Sequence, residues 1–297
     1  MTTLTDPVTR PVQRLRNLRH RRPRRIVPSG LGIVGWLSLA VILVAGFLVV
    51  FGPLIAPYPP NRADLSLAYV RPGAGHLLGF DSQGRDLLSR LLVGARSSLL
   101  GPMLVVLLSM GVGTALAVLS AWRRGWLDAA LSAALDIVFA FPGVLLAVLA
   151  AAVFGPSELS AALSVAVAYL PYVARIARAA AMRERNQPYI EALEVQGNSA
   201  LSICVRHIVP NIRALLVAEG AILFGWATLD LAAIAFLGLG VTPPQADWGV
   251  MVSEGETGVL QGFPTESLIA GAAIVLVVVA FNLLGEQLSE RNGADAR

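Results

Sequence analysis

The chain has 297 residues, of which 56% are hydrophobic and only 14% are charged. Soluble domains carry about 25% charged residues, so this composition excludes an ordinary soluble protein and, with a mean hydropathy of +0.68, predicts an all-α polytopic membrane protein. The formal net charge is +4, and the single cysteine is Cys204. One cysteine excludes a disulfide framework within the chain and a multi-cysteine metal site.

Residues 1–30 form a basic segment that contains eight arginines and one acidic residue, Asp6. Such a charge suits nucleic acid, but a basic segment directly before an apolar stretch is more simply a cytoplasmic tail on anionic lipid. Residues 31–56 carry no charge and exceed the roughly 20 apolar residues that a membrane span needs. The stretch is longer than the apolar region of a signal peptide, so it is predicted to be an uncleaved first transmembrane helix.

Residues 57–96 are mostly polar and contain several glycines and prolines, which predicts an extracytoplasmic loop. Within it, Asp81 is a candidate N-cap for an interfacial helix in which leucines lie opposite Arg85 and Arg90. This helix is expected to lead into a second span at Ser97–Trp122, which is free of charged residues.

Two further spans are predicted before the next polar stretch. The third covers Ala129–Phe154, and Pro142 is expected to kink it because proline removes a helical hydrogen bond. The fourth, Leu159–Ala174, has only 16 uncharged residues. It is interpreted as a span because Arg175 and Arg178 can extend from its inner end toward the interface.

Residues 183–210 form a polar island between apolar stretches, and its signals predict two short helices joined by a break. The predicted caps are Asn186 for the first helix and Asn198 or Ser199 for the second. Pro188 suits a first helical turn, Gly197 is the stop between the helices, and Pro210 ends the second helix. A helix–glycine–helix elbow between spans presents a rigid edge, which predicts a docking element on the membrane surface.

The fifth and sixth spans are predicted at Ala214–Gly240 and Ser267–Gly285, with a loop between them that is acidic and has no arginine. Six spans place both termini on one side, together with the Trp122–Trp126 turn and the island. All of these carry arginine, so the positive-inside rule makes that side cytoplasmic. The organisation is then a tail, a first span, a loop, a core of five spans at 97–288 that includes the coupling loop 183–212, and a short cytoplasmic tail at 289–297.

Four motifs occur in the order known from one family. The first is the segment His76–Gly101, and the second is Phe139-Ala140-Phe141-Pro142 after Asp136. The third combines Glu191-Ala192-Leu193, Gly197 and His207-Ile208-Val209-Pro210, and the fourth is the stretch Phe236–Pro244 with Trp248-Gly249. Together with Asn282-Leu283-Leu284-Gly285-Glu286 near the end, they closely resemble permease subunits of the dipeptide, oligopeptide and nickel branch of ATP-binding-cassette (ABC) importers. The resemblance spans about residues 31–288 and implies the type I ABC importer permease fold with six transmembrane helices.

The resemblance also implies roles for individual residues. Those expected to couple to the ATPase through the elbow are Glu191, Ala192, Gly197, His207 and Pro210. Those expected either in the translocation path or in pairing between helices are the intramembrane acids Asp136 and Asp230. Those expected in the outer loop toward the binding protein are Asp247, Trp248 and Glu254. No catalytic residues and no metal ligands are expected, since no Walker A loop, HExxH or Gly-x-Ser-x-Gly motif is found.

By this resemblance the chain is a peptide importer permease in the bacterial inner membrane. Its expected partners are a second related permease, one or two ABC ATPases, an extracytoplasmic solute-binding protein and membrane lipid, with no nucleic acid. ATP and magnesium would be bound by the ATPases and no cofactor by this chain. The alternatives are a gradient-driven transporter or channel that uses Asp136 and Asp230, for which no inverted repeat is found, and a membrane enzyme. The cargo stays open among peptides, nickel and haem.

Overall fold

The computed structural model describes residues 32–295, with side chains up to residue 290. The basic tail predicted at residues 1–30 therefore lies outside the described residues. Between residues 32 and 295 the chain is α-helical and has no β-strand, only two isolated bridges in the loop after the first helix. The helices are α1 Ile33–Ile55, α2 Leu87–Arg123, α3 Gly125–Phe139, α4 Gly143–Phe154, α5 Glu158–Arg185, α6 Pro188–Val195, α7 Ala200–Ile203, α8 Val209–Phe236, α9 Trp248–Glu254, α10 Glu256–Leu260 and α11 Thr265–Asp295.

Five helical stretches in the described residues are long and apolar enough to cross a membrane. They are α1, α2, α5, the stretch from α7 to α8, and α11. A sixth span results if α3 and α4 are counted together, although they meet at 82°. The bend lies directly before Pro142, which is the N-cap of α4, so the predicted effect of this proline is confirmed and is stronger than a kink.

The predicted interfacial helix and second span are one continuous helix, α2, of 37 residues. Asp86, and not Asp81, is its N-cap and accepts a hydrogen bond from the Ser89 amide. The Asp81 prediction is wrong because that carboxylate binds the side chain of Arg85. At 1.5 Å per residue, α2 is about 55 Å long, so it extends well beyond a hydrocarbon core of about 30 Å.

The two ends of α2 define the two ends of the bundle. The end near Leu87 contacts the loop 56–86 and is called the loop end. The end near Arg123 contacts the polar island and is called the elbow end. α5 packs along α2, and Gly113 of α2 allows this approach, since a Cβ atom there would lie 2.8 Å from Val173 Cγ1.

The prediction that Pro210 ends the second short helix is wrong, because the helix runs without interruption from Ala200 to Phe236. Five residues of π-helix, Cys204–Ile208, come directly before Val209 and Pro210 at the start of α8. Proline has no amide hydrogen to donate and its ring crowds the preceding turn, and the wider π turn gives that ring room. The elbow is therefore joined rigidly to a membrane span.

α8 and α11 form the other close helix pair, and glycines permit their approach. A Cβ atom on Gly225 would lie 2.5 Å from Asn282 Nδ2, and one on Gly285 would lie 2.9 Å from the Ala218 carbonyl oxygen. Small residues at helix contacts are the usual solution within a membrane, where dispersion forces and not water exclusion hold helices together.

Candidate functional site: the elbow and the buried polar residues

The elbow consists of α6, a tight turn, α7 and the π-helical segment. Pro188 occupies the first turn of α6, as predicted, but the N-cap is Gln187 and not Asn186. Asn186 instead caps the C-terminus of α5 and accepts a hydrogen bond from Arg124 Nη2 at 2.6 Å. Ser199 is the N-cap of α7 and accepts from the Ser202 amide, which decides between the two predicted caps.

Gly197 ends α6 in a left-handed conformation, with φ of +80°. Its amide donates to the Glu194 carbonyl at 3.0 Å, and the Asn198 amide donates to the Leu193 carbonyl at 3.2 Å. This pair of bonds is the Schellman motif, in which glycine is favoured because it carries no Cβ. The predicted stop at Gly197 is therefore confirmed, and the residue fixes the angle between the two short helices.

Three isoleucines hold the elbow against the ends of the long helices. Ile190, Ile203 and Ile208 are at most 1% exposed. They form one apolar cluster with residues from three helices of the bundle, namely Val118, Ala121, Ala181 and Ile212. The elbow is thus packed as part of the bundle and is not a free loop.

A polar contact also fixes the start of α6. The Tyr189 hydroxyl donates to Glu184 Oε1 at 2.5 Å. Asn211 Nδ2 donates to Glu184 Oε1 and to the Tyr189 hydroxyl oxygen, both at 2.8 Å. Partial burial and the bond to the Glu184 carboxylate raise the pKa of Tyr189 to about 12, so the phenol remains a donor at neutral pH.

The opposite face of the elbow is exposed. Glu191, Ala192 and Gly197 are exposed, and Val195 and Leu201 are 89% and 75% exposed. Glu191 makes no ion pair with the described residues. Three of the five predicted coupling residues therefore lie on an exposed surface of the elbow that also carries apolar side chains.

The two remaining predicted coupling residues lie behind that surface. His207 and Pro210 are half-buried, and the His207 ring lies 6.4 Å from the Tyr189 ring, centroid to centroid. His207 belongs to the π-helical segment of the elbow, and Pro210 belongs to the first turn of α8. All five coupling assignments stay predictions.

Arg185 at the end of α5 was not singled out from the sequence, yet it joins the elbow end to α2. Its Nη1 atom donates to the carbonyls of Ala121 and Trp122, and its guanidinium lies 4.6 Å from the centroid of the Trp122 ring. These carbonyls lie in the last turn of α2, where they have no helical donors. The adjacent Trp–Arg–Arg turn was the only sequence signal for this contact.

The intramembrane acids contact neighbouring helices. Asp230 of α8 accepts a hydrogen bond from the Tyr169 hydroxyl of α5 at 2.7 Å. Asp136 of α3 forms an ion pair with Arg175 of α5, with 3.0 Å between Arg175 Nη2 and Asp136 Oδ1. Both contacts are pairing between helices, one of the two predicted roles. A role in the translocation path stays a prediction for both.

The predicted outer-loop residues are largely buried within the chain. Asp247 is the N-cap of α9 and accepts from the amides of Gly249 and Val250. Burial raises the pKa of Asp247, and its hydrogen bonds oppose that rise. The Trp248 indole donates to the Leu91 carbonyl of α2 at 2.9 Å. These residues thus fix α9 against α2, and their contact with a binding protein stays a prediction.

Glu254 belongs to a buried charged cluster at the loop end. Its Oε2 atom accepts from Arg85 Nη2 and from Arg90 Nη2, both at 2.7 Å. Asp81 Oδ2 lies 2.5 Å from Arg85 Nε, and both arginines are at most 1% exposed. Burial lowers the pKa of Arg85, but the bonds to Glu254 and Asp81 outweigh burial and raise it. The cluster joins the loop 56–86 to α9.

The described residues contain no group of three histidine, cysteine, aspartate or glutamate side chains that could hold a metal ion. Cys204 is buried in the apolar cluster beneath the elbow.

Comparison with known proteins identifies the family. Residues 113–292 match the family model described as binding-protein-dependent transport system inner membrane component. A probable D,D-dipeptide transport system permease protein of Escherichia coli K12 is 34% identical over 258 residues, 85% of each chain. A dipeptide transport system permease protein of Haemophilus influenzae is 35% identical, over 86% of this chain and 88% of the relative.

A third relative is named for another small peptide. A glutathione transport system permease protein of Pectobacterium atrosepticum is 32% identical, over 90% of this chain and 88% of the relative. With five or six apolar helices, the chain is a multi-pass inner membrane protein. It therefore belongs to the binding-protein-dependent transport system inner membrane components, the type I ABC permeases, and is a transporter subunit and not an enzyme.

Proposed function

We propose that this chain is the permease subunit of an ATP-driven importer for peptides of the dipeptide or oligopeptide type. It forms the translocation path with a second, related permease. Two of the three relatives described above are named for dipeptides, which supports a short peptide as cargo. One or two ABC ATPases bind at the elbow end and hold the ATP and magnesium, and this chain binds no cofactor.

The observation that carries the proposal is the exposed face of the elbow. Val195 and Leu201 are apolar and exposed, and Val195 lies one helical turn from Glu191 on α6. Exposed apolar residues grouped on a rigid, water-facing element indicate a protein partner. A basic rim on the ATPase groove would complement Glu191.

The elbow end is proposed to be cytoplasmic, with both termini on that side. Arg123, Arg124, Arg183 and Arg206 are at this end and are half-buried or exposed, as the positive-inside rule requires. The loop end is proposed to be extracytoplasmic, where residues 57–86 and α9 form the surface for the solute-binding protein. The two buried arginines of the loop end, Arg85 and Arg90, are paired with acids. Arg62 and Arg71 are the exposed arginines of the loop 57–86, fewer than the four at the elbow end.

The connection between the elbow and α8 suggests how the ATPases drive transport. Closure of the ATPases would push α6 and α7, and the continuous helix from Ala200 to Phe236 would carry that displacement into the membrane. The span would then rock as a rigid body between inward and outward access. Gly197 keeps the two short helices at a fixed angle, so that a push on one is transmitted to the other.

The test is affinity purification of the tagged chain from native membranes, with identification of the proteins that accompany it. The wild-type chain is expected to bring down an ABC ATPase and a second permease. Glu191→Arg is expected to lose most of the ATPase and to keep the second permease. The matched control is Glu256→Arg, an exposed acid at the loop end, which is expected to keep both partners.

Two results contradict the proposal. A wild-type chain that purifies without an ATPase supports a gradient-driven transporter instead. Equal ATPase recovery with Glu191→Arg and with the control removes Glu191 from the coupling surface, and Val195→Asp then tests whether the apolar face alone binds the ATPase.

A further inference from the structure

Two ion pairs join α3 to α5 near the elbow end, and they are built differently. Arg178 binds Asp128 with two bonds, Nε to Oδ1 at 2.7 Å and Nη2 to Oδ2 at 2.5 Å. Ser120 of α2 also donates to Asp128 and accepts from Arg178. This pair has two direct bonds and a third partner on α2, and it is half-buried, so it is suited to holding the helices together.

The second pair, Asp136 with Arg175, is open. It has a single contact of 3.0 Å, and the two side chains are 66% and 61% exposed. Exposed pairs with one contact stabilise a protein very little, so either partner can exchange for another charge at small cost. The Arg175 guanidinium also lies 4.9 Å from the centroid of the Phe139 ring, which holds its position if Asp136 leaves.

The open pair lies near the inner edge of the hydrocarbon core. The uncharged part of α5, Leu159–Ala174, has 16 residues and is about 24 Å long, which is shorter than a hydrocarbon core of about 30 Å. Arg175 follows directly, and its pair with Asp136 is largely exposed. Charged side chains at that depth extend to the interface or face a water-filled cavity or another polypeptide, and do not face lipid.

The structure shows a cavity at this position. It measures about 350 Å³, and the residues that line it include Ser120, Ser132, Asp136, Arg175 and Arg178. Its walls come from α2, α3 and α5, and small-molecule sites commonly have volumes of about 300–1,000 Å³. The rest of the lining is apolar, so the cavity is mostly apolar with a few convergent charges, as is usual for small-molecule sites. One firm ion pair and one exchangeable pair in such a cavity are suited to a small molecule that carries both charges.

We propose that Arg175 and Asp136 form a contact for peptide termini along the translocation path. Arg175 binds the free carboxylate of a dipeptide and Asp136 binds its free ammonium group, so the substrate replaces the bond between the two side chains. Arginine suits the carboxylate because its planar guanidinium can bind both oxygens. This inference rests on the proposed function, since it needs a path that carries peptides.

The first experiment asks whether this face is in water. In a Cys204→Ser background, the purified complex with its ATPase is placed in nanodiscs, and Ser132→Cys is reacted with a cationic thiol reagent. Ser132 lines the cavity one helical turn before Asp136. The control is Leu107→Cys, an apolar site on α2 that is 61% exposed. Ser132→Cys is expected to react at least about tenfold faster, because the reactive thiolate forms in water and not in lipid.

The second experiment asks whether a peptide occupies the site. An excess of an equimolar mixture of free dipeptides is expected to slow the labelling of Ser132→Cys severalfold, whereas the same dipeptides with amidated carboxyl ends are not. Arg175→Gln is expected to abolish this protection. Arg96→Gln, at an exposed arginine of α2 outside the cavity, is expected to keep it. Leu135 lines the same cavity, so Leu135→Cys serves as the labelled cysteine if Ser132→Cys does not assemble.

The outcomes are distinct. If the ATPase still co-purifies, any one of three results would overturn the inference. These are labelling of the cavity cysteine at the rate of Leu107→Cys, no protection by the free dipeptides, and equal protection in Arg175→Gln. A complex that contains no ATPase overturns the proposed function itself. Rapid labelling with protection that needs both the free carboxyl end and Arg175 supports the inference.

Discussion

Replacement of Glu254 by glutamine tests whether the charged cluster holds the loop end together. One oxygen of Glu254 accepts bonds from Arg85 and Arg90, both at 2.7 Å, and both arginines are buried. Removal of one partner from a buried ion pair costs about 3–5 kcal/mol, because a charge is left uncompensated. Asp81 still lies 2.5 Å from Arg85 Nε, so we expect the lower value, about 3 kcal/mol.

The free energy of unfolding is measured in mixed micelles by titration with a denaturing detergent. The matched control is Glu256→Gln, two residues further on and exposed, which is expected to change that free energy by no more than about 0.5 kcal/mol. The difference is expected to persist at high salt, since buried pairs are screened much less than exposed ones. A loss below about 1 kcal/mol, or one that disappears in salt, would refute the reasoning.

Three further predictions concern the elbow and the helix contacts. Gly197→Ala is expected to lower the free energy of unfolding by about 1–2 kcal/mol, the cost of a left-handed residue with a Cβ, and equal stability would contradict this. Gly285→Ala places a Cβ atom 2.9 Å from the Ala218 carbonyl oxygen and is expected to reduce the yield of folded protein, whereas Gly111→Ala meets nothing within 4 Å and should not. The contribution of Tyr189 is fully present below pH about 10, the unfolded pKa, and is lost as pH rises through its folded pKa of about 12. Elbow resistance to protease should therefore fall over this range in the wild type, and no such additional fall is expected in Tyr189→Phe.

Local signals were sufficient for part of the elbow. Pro188 and Gly197 act through backbone geometry, since proline suits a first helical turn and glycine suits a left-handed end. Both were predictable because the cause lies within a few residues. Pro210 was misjudged for the opposite reason, since a π turn before it allows one helix to continue. The sequence signal for a break was present, but the packing of Ile203 and Ile208 favoured a continuous helix.

The acidic residues show where sequence reasoning ended. Asp136 and Asp230 were recognisable as unusual, because charges within apolar stretches are costly. Their partners Arg175 and Tyr169 were not recognisable, because each lies on another helix, 39 and 61 residues away. Asp81 looked like a helix cap from its neighbours, but the folded chain uses it to bind Arg85.

The amino-acid sequence by itself determined that the chain is helical and crosses a membrane. Uncharged stretches of about 20 residues cross lipid as helices, since a helix of that length spans the hydrocarbon and pairs its backbone polar groups within its own segment. The sequence also determined the place of the elbow, because a run of charged and polar residues is too costly to place in hydrocarbon. Only the tertiary structure decided which charges meet. Glu254 and Arg85, for example, are 169 residues apart in the sequence. Hydropathy and capping patterns carry information only about neighbours within a few helical turns. A contact between residues so far apart therefore depends on how whole helices pack.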